Sequence, residues 1–397
     1  MTTSSSNGVG RRTVLQTLGS LGAGAMASAG RISPALAQAG WSSALHPMAE
    51  TTFVIDGVAH CYNHAPYNRR IKRASVNSIN TTYSFHEACT PDPYRLTYDQ
   101  WERDWQADEV MDIMFLESHT DMMVMHSVPM FDLHYDGLVS NEKGAYLKGN
   151  FPDRVLWYGA LDLFDPYDTI VAKADQLIDQ GADGIKFYPT RINFETREPE
   201  SWLMDDEKLA FPVFDHLQSK GVKHLAVHKL VGHVGPKTSA LGIDDLYKAA
   251  EAFPDLTFHL VHAGWQNFEE TAALMAAREN VTAVMEGPML FPLFDMDAFN
   301  KMMNVFMTKV DMDRLIYAST AVNQHPYRII NAFFDFQPPE GAPYSLTDES
   351  KAKILGANLA RYHDIDIAAQ RQKIAGDKWS RAKAENGLRE PYVMQRT

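Results

Sequence analysis

Three histidines follow or end apolar segments of this sequence and could share one chemical task. His60 follows residues 53–59, His228 ends the segment His-Leu-Ala-Val-His, and His262 follows residues 256–261. Imidazole binds zinc, iron, copper or nickel, and a metal ion with an open position can activate water or polarise a carbonyl group. A lone histidine at a strand end is commonly a structural residue. Three of them together favour a metal site.

Two charged residues occupy comparable positions. Lys186 lies in Gly-Ala-Asp-Gly-Ile-Lys-Phe-Tyr-Pro, where it could be a carbamylated ligand, a contact for a substrate carboxylate or a buried ion-pair lysine. Glu286 follows Val-Thr-Ala-Val-Met and could be a ligand, a general base or a partner in a salt bridge. We predict that His262, Glu286 and Lys186 are catalytic. We predict that His60, His228 and His262 hold one divalent metal ion, zinc in the first place, with manganese or iron as alternatives.

Side chains near the same segment ends could form a pocket for a small, planar substrate, although ordinary packing at a rim would also explain them. The predicted pocket residues are Tyr62, His64, Tyr188, Trp265 and Thr320. His126 and His325 also lie near the starts of loops, and we interpret both as structural.

Such residues need a scaffold that brings strand ends together. Eight apolar segments are predicted strands, namely residues 53–59, 122–128, 155–161, 184–188, 223–228, 256–262, 281–285 and 314–319. A helix or a long crossover follows each of them, which predicts a parallel sheet. The count indicates an α/β fold of the (β/α)8 TIM-barrel type, whose active sites lie at the C-terminal ends of the strands. An open, doubly wound sheet is the alternative, but no Gly-x-Gly-x-x-Gly follows any strand.

Several details of organisation follow. Period-two alternation places Asp56, Val58 and His60 on one face of the first strand. Residues 65–97 are predicted to be a long connection after the first strand, longer than most loops, that serves as an arm or lid over the site. Residues 98–117 are predicted to be one helix. The predicted units are an N-terminal extension over 38–52, a barrel over 53–364, and a peripheral C-terminal segment over 365–397 with a loose end.

The totals limit the partners and the compartment. The chain has 397 residues and a net charge of −13, which argues against a nucleic acid or an anionic membrane as partner and leaves a small-molecule substrate. Arg11-Arg12 and the Ala35-Leu36-Ala37 pattern predict a twin-arginine export signal over 1–37, and hence a periplasmic or extracellular protein. No other stretch predicts a membrane span. A homo-oligomer is left open.

The two cysteines, Cys61 and Cys89, allow a disulfide without requiring one. Cys61 stands next to His60, so a functional thiol is conceivable, but a buried structural cysteine is the more common case.

Taken in order, these segments resemble the amidohydrolase superfamily, in particular the amidohydrolase-related group of metal-dependent hydrolases and aromatic-acid decarboxylases. The resemblance runs from about residue 53 to about residue 364 and implies a distorted (β/α)8 barrel. It is carried by VIDGVAHCYN, GADGIKFYP, HLAVH, LTFHLVHAGW, RLIYAST and the closing helix KILGANLARYHDID.

The resemblance implies a pair of metal ligands on the first strand, a histidine on the fifth and an aspartate on the eighth. His60 matches the second member of the pair, His228 matches the fifth-strand ligand, and His262 matches a histidine that acts on the substrate or on metal-bound water. The sequence departs from the pattern at Val58, which cannot bind a metal, and at Thr320, a poor base at neutral pH.

The function implied is hydrolysis of a small, in some cases aromatic, ester, lactone or amide. Non-oxidative decarboxylation of an aromatic or unsaturated acid is the alternative. Two histidines with Glu286 would also match a non-haem iron oxygenase. The substitutions at Val58 and Thr320 would suit a binding protein that has lost its chemistry.

Overall fold

Eight parallel strands form one sheet whose neighbours follow the order of the chain, in a computed structural model that describes residues 41–193, 195–232, 239–263, 265 and 267–396. The predicted TIM barrel is confirmed, and so is every predicted strand, with ends that move by one to three residues. We label the strands β1 (Ile55–Ala59), β2 (Met122–His126), β3 (Val155–Ala160), β4 (Gly184–Phe187), β5 (His224–His228), β6 (Thr257–Val261), β7 (Val281–Val284) and β8 (Leu315–Ile316).

The barrel closes between β1 and β8 through individual hydrogen bonds. The Gly57 amide donates to the Tyr317 carbonyl at 2.9 Å, and the Thr320 amide donates to the Val58 carbonyl at 3.1 Å. A Cβ atom at position 57 would lie 2.8 Å from the Tyr317 carbonyl oxygen, so this close approach requires glycine. The closure holds Thr320 beside the C-terminal end of β1.

A bulge in β1 changes which side chains face the barrel interior. The register to β2 shifts between Asp56 and Ala59, and Ile55 and Val58 both belong to the apolar cluster inside the barrel. The extra residue breaks the alternation. The prediction that Asp56 shares a face with Val58 is therefore wrong, whereas Val58 and His60 do follow one another on the inner side.

Helices surround the sheet, and a short antiparallel hairpin, Thr190–Ile192 with Pro199–Ser201, follows β4. The α-helices are Pro47–Thr51, Lys72–Cys89, Tyr98–Trp101, Ala107–Phe115, Asn141–Asn150, Tyr167–Asp179, Ala210–Ser219, Asp245–Ala252, Phe268–Ala277, Phe291–Phe294, Met296–Lys309, Pro326–Asp335, Asp348–Ala352, Asn358–Tyr362, Ile367–Ile374, Lys378–Asn386 and Val393–Arg396. A π-helical turn, Lys353–Ala357, joins two of them, and 3-10 turns cover Pro66–Asn68, Ser239–Leu241, Pro288–Leu290 and Met312–Arg314. Among the described helices, none combines the length and the apolar character that crossing a membrane would require.

The long insertion after β1 contains a helix that the sequence analysis did not predict. Residues 72–89 form an 18-residue helix, which we call the cover helix, with Ile79 and His86 buried at helical spacing. The predicted helix over 98–117 is two helices. The chain between them bonds to the loop after β1, because the His64 amide donates to the Arg103 carbonyl and the Trp105 amide to the Tyr62 carbonyl, each at 2.9 Å.

The C-terminal segment packs firmly on the barrel, so the expectation of a loose end is wrong up to residue 396. Tyr392 is fully buried, and its hydroxyl donates to the Val322 carbonyl at 2.9 Å. The buried Glu117 carboxylate accepts hydrogen bonds from Arg389 at 2.8 Å and from the Tyr392 amide at 2.8 Å. It also pairs with His325 at 3.0 Å, which gives His325 the structural role expected of it.

Both cysteines are free thiols. The Cys61 thiol is buried and donates to the Trp105 carbonyl at 3.1 Å, and burial raises its pKa to about 11. A structural role fits this environment better than a reactive one.

Candidate active site

A cavity of about 160 Å³ opens at the C-terminal ends of the strands. Three histidines and one glutamate line it together, and we call them the mouth cluster: His60, His228, His262 and Glu286. Of the predicted pocket residues, Tyr62, Tyr188, Trp265 and Thr320 also line the cavity. The structure therefore brings most of the residues predicted for the site to one cavity.

His60 follows β1 directly, and a backbone carbonyl group holds one of its ring nitrogens. Its Nδ1 lies 3.2 Å from the His126 carbonyl oxygen, which can only accept, so in the neutral ring Nδ1 carries the hydrogen. The ring then presents Nε2 as an acceptor toward Glu286, whose Oε1 lies 3.5 Å away. This anchoring of one ring nitrogen by a backbone carbonyl is the arrangement that orients histidine ligands in metal sites.

His228 and His262 show the same anchoring. His228 Nε2 donates to the Val231 carbonyl at 2.6 Å, and His262 Nδ1 lies 3.3 Å from the Glu286 carbonyl. The remaining nitrogens, His228 Nδ1 and His262 Nε2, face each other at 3.2 Å. The ring of Tyr188 stacks on His228 with centroids 4.0 Å apart, which fixes the plane of the imidazole.

Backbone conformation at two lining residues is unusual. His262 has φ 65° and Thr320 has φ 64°, the left-handed region that side chains with a Cβ rarely adopt. Such conformations cost about 1–3 kcal/mol each and concentrate at functional sites. His262 lies three residues after His259, so simple strand alternation would place the two rings on opposite faces. The change of backbone direction at His262 removes this alternation.

Glu286 supplies the negative charge of the mouth cluster. Burial by itself raises the pKa of this carboxyl, but His262, His60 and Lys186 outweigh burial and hold the pKa well below its usual range. Its Oε2 lies 3.7 Å from His262 Nε2. Burial lowers the pKa of His262, so at neutral pH the structure favours an ionised Glu286 beside a neutral His262.

The donor chemistry of the mouth cluster fits a bound cation. His228 Nδ1 and His262 Nε2 are both acceptors in neutral rings, and two lone pairs 3.2 Å apart repel unless a proton or a metal ion lies between them. In the part of the chain that the structure describes, no group of three or more His, Cys, Asp or Glu side chains is already arranged to hold a metal ion. The fit to a cation therefore rests on the type of the donor atoms and on the orientation of the rings. The donor atoms approach one another in pairs.

Two predicted site residues lie apart from the cavity. His64 is fully buried, with Nδ1 3.2 Å from the Trp101 carbonyl and its ring stacked on Tyr62, so its prediction as a pocket residue is wrong. Lys186 extends from β4 inside the barrel and does not line the cavity, although its charge acts on Glu286. Burial lowers the pKa of Lys186 to about 8.

His126, interpreted above as structural, lies beside the mouth cluster, and the sequence analysis did not predict the inner face of the cover helix. Both ring nitrogens of His126 are buried without a hydrogen-bond partner, next to His60, with ring centroids 6.3 Å apart. The cover helix contributes Ser78, Thr81, Thr82 and Phe85 to the cavity lining. The spacing of Ile79, Tyr83 and His86 was the available signal for this helix.

The two positions that depart from the resemblance behave differently. Val58 is fully buried in the apolar cluster below His60, so it brings no ligand to the cavity. Thr320 does line the cavity and interacts with the hydroxyl of Tyr62. The carboxylate of the site comes instead from Glu286, after β7.

Solved structures share the fold at low sequence identity. An uncharacterised TIM-barrel protein from Bordetella bronchiseptica is 16% identical, with a TM-score of 0.56 over 80% of this chain and 99% of that one. A 5-carboxyvanillate decarboxylase from Novosphingobium aromaticivorans is 12% identical, with a TM-score of 0.53 over 82% and 100%. A 2,6-dihydroxybenzoate decarboxylase from Rhizobium is 13% identical, with a TM-score of 0.50 over 78% and 98%.

Sequence comparison gives the family. No curated protein sequence matches the chain. The sequence profile described as amidohydrolase matches residues 139–362, which is more than half of the 397 residues and includes β3 to β8. It also covers His228, His262 and Glu286. The chain therefore belongs to the amidohydrolase family.

Proposed function

We propose that this protein is a metal-dependent hydrolase that cleaves a small, ring-containing ester, lactone or amide. The observation that carries the proposal is the ionised Glu286 carboxylate, buried in the cavity between His60 and His262 at 3.5 and 3.7 Å. A carboxylate in this position can take a proton from an attacking water molecule. Membership of the amidohydrolase family supports an enzyme, although it leaves the reaction open.

The chain's own groups account for the movement of a proton. Glu286 accepts the proton of a water molecule that attacks the substrate carbonyl. Burial lowers the pKa of His262, so its ring stays neutral with Nε2 available to a cation, and Glu286 itself passes the proton to the leaving group. The Tyr62 hydroxyl and Thr320 lie on the same wall and can donate hydrogen bonds to the carbonyl oxygen.

His60, His228 and His262 would offer nitrogen, and Glu286 oxygen, to one divalent ion. Such an ion lowers the pKa of bound water and polarises the carbonyl group. Zinc suits nitrogen ligands. Manganese is supported by the Novosphingobium decarboxylase, whose structure is a complex with manganese and 4-hydroxy-3-methoxy-5-nitrobenzoic acid. Iron remains a third choice.

Decarboxylation of an aromatic acid is the second candidate. It is supported by the two decarboxylases among the proteins that share the fold. In this version Lys186 would contribute positive charge behind the mouth cluster. Because it does not line the cavity, Lys186 would act on the substrate carboxylate only from a distance.

The test separates the two reactions with one panel. The full chain, loaded with zinc or manganese, is incubated with phenyl esters, benzamides and aromatic lactones, and separately with hydroxybenzoates. We expect acid release from the first set, and a loss of more than about 100-fold in Glu286→Gln. Carbon dioxide release from the second set alone would favour decarboxylation. No turnover of either set by metal-loaded protein would reject both candidates.

We further propose that the protein works outside the cytoplasm. The proposal rests on the Arg11-Arg12 pair and the Ala35-Leu36-Ala37 pattern, in a part of the sequence that lies outside the described residues. Replacing both arginines by lysine should retain the chain in the cytoplasm, as measured by fractionation. Unchanged export of that variant would contradict the proposal.

A further inference from the structure

Seven apolar side chains line the cavity outside the mouth cluster, and they restrict the substrate. We call them the outer wall: Phe85, Val128, Met130, Leu138, Val231, Trp265 and Leu290. These side chains come from the cover helix, from the loops after β2, β5 and β6, and from the turn after β7. A ligand that reaches the mouth cluster therefore leaves its far end against apolar groups.

The described cavity lining contains no lysine or arginine, and its only charged group is Glu286. The neutral polar members are largely committed to the protein itself. The Thr81 hydroxyl donates to the Asn77 carbonyl at 2.9 Å, and the Asn323 amide donates to the Thr82 carbonyl at 2.7 Å. A carboxylate placed at the outer wall would lose its hydration without gaining a cationic partner from the described lining, which is strongly unfavourable.

The size of the cavity matches one ring. Its volume is about 160 Å³. An apolar cavity of about 150 Å³ is known to accept a single benzene molecule. Fused bicyclic compounds need substantially more room.

Planar walls favour a flat ligand. Trp265 packs over Gly287, where an added Cβ would lie 2.6 Å from the indole, and its ring lies 6.1 Å from that of Phe85 between centroids. Tyr188, stacked on His228, offers a further ring face on the cavity lining. Aromatic walls of this kind bind aromatic rings through offset or edge contacts.

We infer that the substrate contains a single ring whose reacting group meets the mouth cluster and whose opposite end is apolar and uncharged. The inference rests on the proposed function and narrows it, because it excludes cyclic substrates that carry a second, remote carboxylate. It also distinguishes substrates by charge at a position that the reaction itself does not involve.

Calorimetric titration of the full, metal-loaded chain with two matched ligands tests this inference through binding affinity, and chromatography of the mixture checks that neither ligand has been hydrolysed. The ligands are 4-methylbenzamide and 4-carbamoylbenzoate, which share the amide and differ in one remote group. We expect the neutral ligand to bind at least about tenfold more tightly, and 2-naphthamide to bind at least about tenfold more weakly than 4-methylbenzamide. Equal or tighter binding of the carboxylate would overturn the inference.

A variant pair provides the control. Val231 lines the cavity at a partly exposed position, so Val231→Lys can place an ammonium there with little risk to folding, and Val231→Met is its neutral counterpart. We expect Val231→Lys to bind 4-carbamoylbenzoate at least about tenfold more tightly than Val231→Met does. No difference between the two variants would contradict a wall that discriminates by charge.

Activity distinguishes this inference from the proposed function. If the neutral ligand binds preferentially but no ester, lactone or amide is cleaved, the proposed function fails and the inference survives. If esters are cleaved but carboxylated substrates are preferred, or neither ligand binds at millimolar concentration, the inference fails.

Discussion

The barrel holds histidine clusters at both ends, and they differ in what surrounds them. The lower cluster consists of His224, His259, His363, Tyr158 and Thr282. There His224 Nδ1 lies 3.1 Å from His259 Nε2, and His259 Nδ1 lies 2.8 Å from the Thr282 hydroxyl. The Tyr158 hydroxyl lies 2.8 Å from His363 Nε2. Side chains therefore satisfy one another at this end.

At the mouth, backbone carbonyls take one nitrogen of each ring, and the other nitrogens turn toward a buried carboxylate and a cavity. Burial lowers the pKa of the lower histidines, to about 4 for His224, which keeps those rings neutral. Both β5 and the segment of β6 contribute one histidine to each end. Residue type and strand therefore do not decide which histidines can bind a cation. What decides it is the group that faces the second ring nitrogen of each histidine.

The largest expected effect concerns Glu286. Glu286→Gln keeps the shape of the side chain but removes the base, so kcat/KM should fall by about 10²–10⁴-fold. The measurement is steady-state kinetics on the best ester found. Thr282→Val, four residues earlier on β7, should leave kcat/KM within about twofold. A Glu286→Gln enzyme with normal activity would remove the main difference between the two ends.

The buried carboxyl group of Asp56 contrasts with that of Glu286 in the direction of its pKa shift. Burial raises the pKa of Asp56 to about 7, whereas the mouth histidines and Lys186 hold the pKa of Glu286 low. The pKa of Asp56 is higher in the folded chain than in the unfolded chain, where it is about 3.9, so protonated Asp56 stabilises the fold fully below pH ~4. This stabilisation is lost as the pH rises to about 7. Asp56→Asn should thus gain stability relative to wild type between pH 4 and pH 8, by at most ~4 kcal/mol.

Urea unfolding at both pH values measures this gain. The Asn side chain can still accept the hydrogen bonds that Asp56 takes from Val58 and Ser319. Parallel pH profiles for wild type and Asp56→Asn would show that Asp56 is ionised in the folded protein, contrary to expectation.

A smaller effect should come from the lower cluster. Thr282→Val leaves His259 Nδ1 buried without its partner, which should lower the free energy of unfolding by about 1–3 kcal/mol. Thermal or urea denaturation measures the loss. A Thr282→Val protein of normal stability but impaired catalysis would assign the lower cluster a role in the reaction.

The smallest expected effect concerns Gly287, on which the indole of Trp265 packs. Gly287→Ala forces the indole to shift, because an added Cβ would lie 2.6 Å from it. Gly287 also has φ 86°, so alanine adds backbone strain. We expect a rise in KM of about threefold to tenfold with kcat nearly unchanged, since the indole contacts the ligand's ring and not its reacting group. An equal fall in kcat would place Trp265 in the reaction.

The sequence predicted the strands well because buried parallel strands are continuous apolar runs. His60, His228, His262 and Glu286 followed from their positions at strand ends. His64 was wrong because it stands past the strand, in a loop that folds back under Trp101. The cover helix was missed because its polar residues resemble those of a loop, and only its buried face shows helical spacing.

Two other differences arise from contacts that act at a distance along the chain. The bulge at Asp56 depends on the Ser319 amide, which donates to the Asp56 carboxylate from 263 residues away. The order of the C-terminal segment depends on Glu117, which Arg389 and Tyr392 reach from the far end of the sequence. The hydrophobic periodicity of a short segment cannot reveal either contact.

The central claim is that the mouth cluster binds a cation and the lower cluster does not. Metal analysis of the purified full chain, beside His228→Ala and His224→Ala, tests it most directly. The account predicts about one divalent ion per chain in wild type and in His224→Ala, and loss of that ion in His228→Ala. Metal content that is unchanged in His228→Ala, or an active wild-type enzyme without any divalent ion, would contradict it.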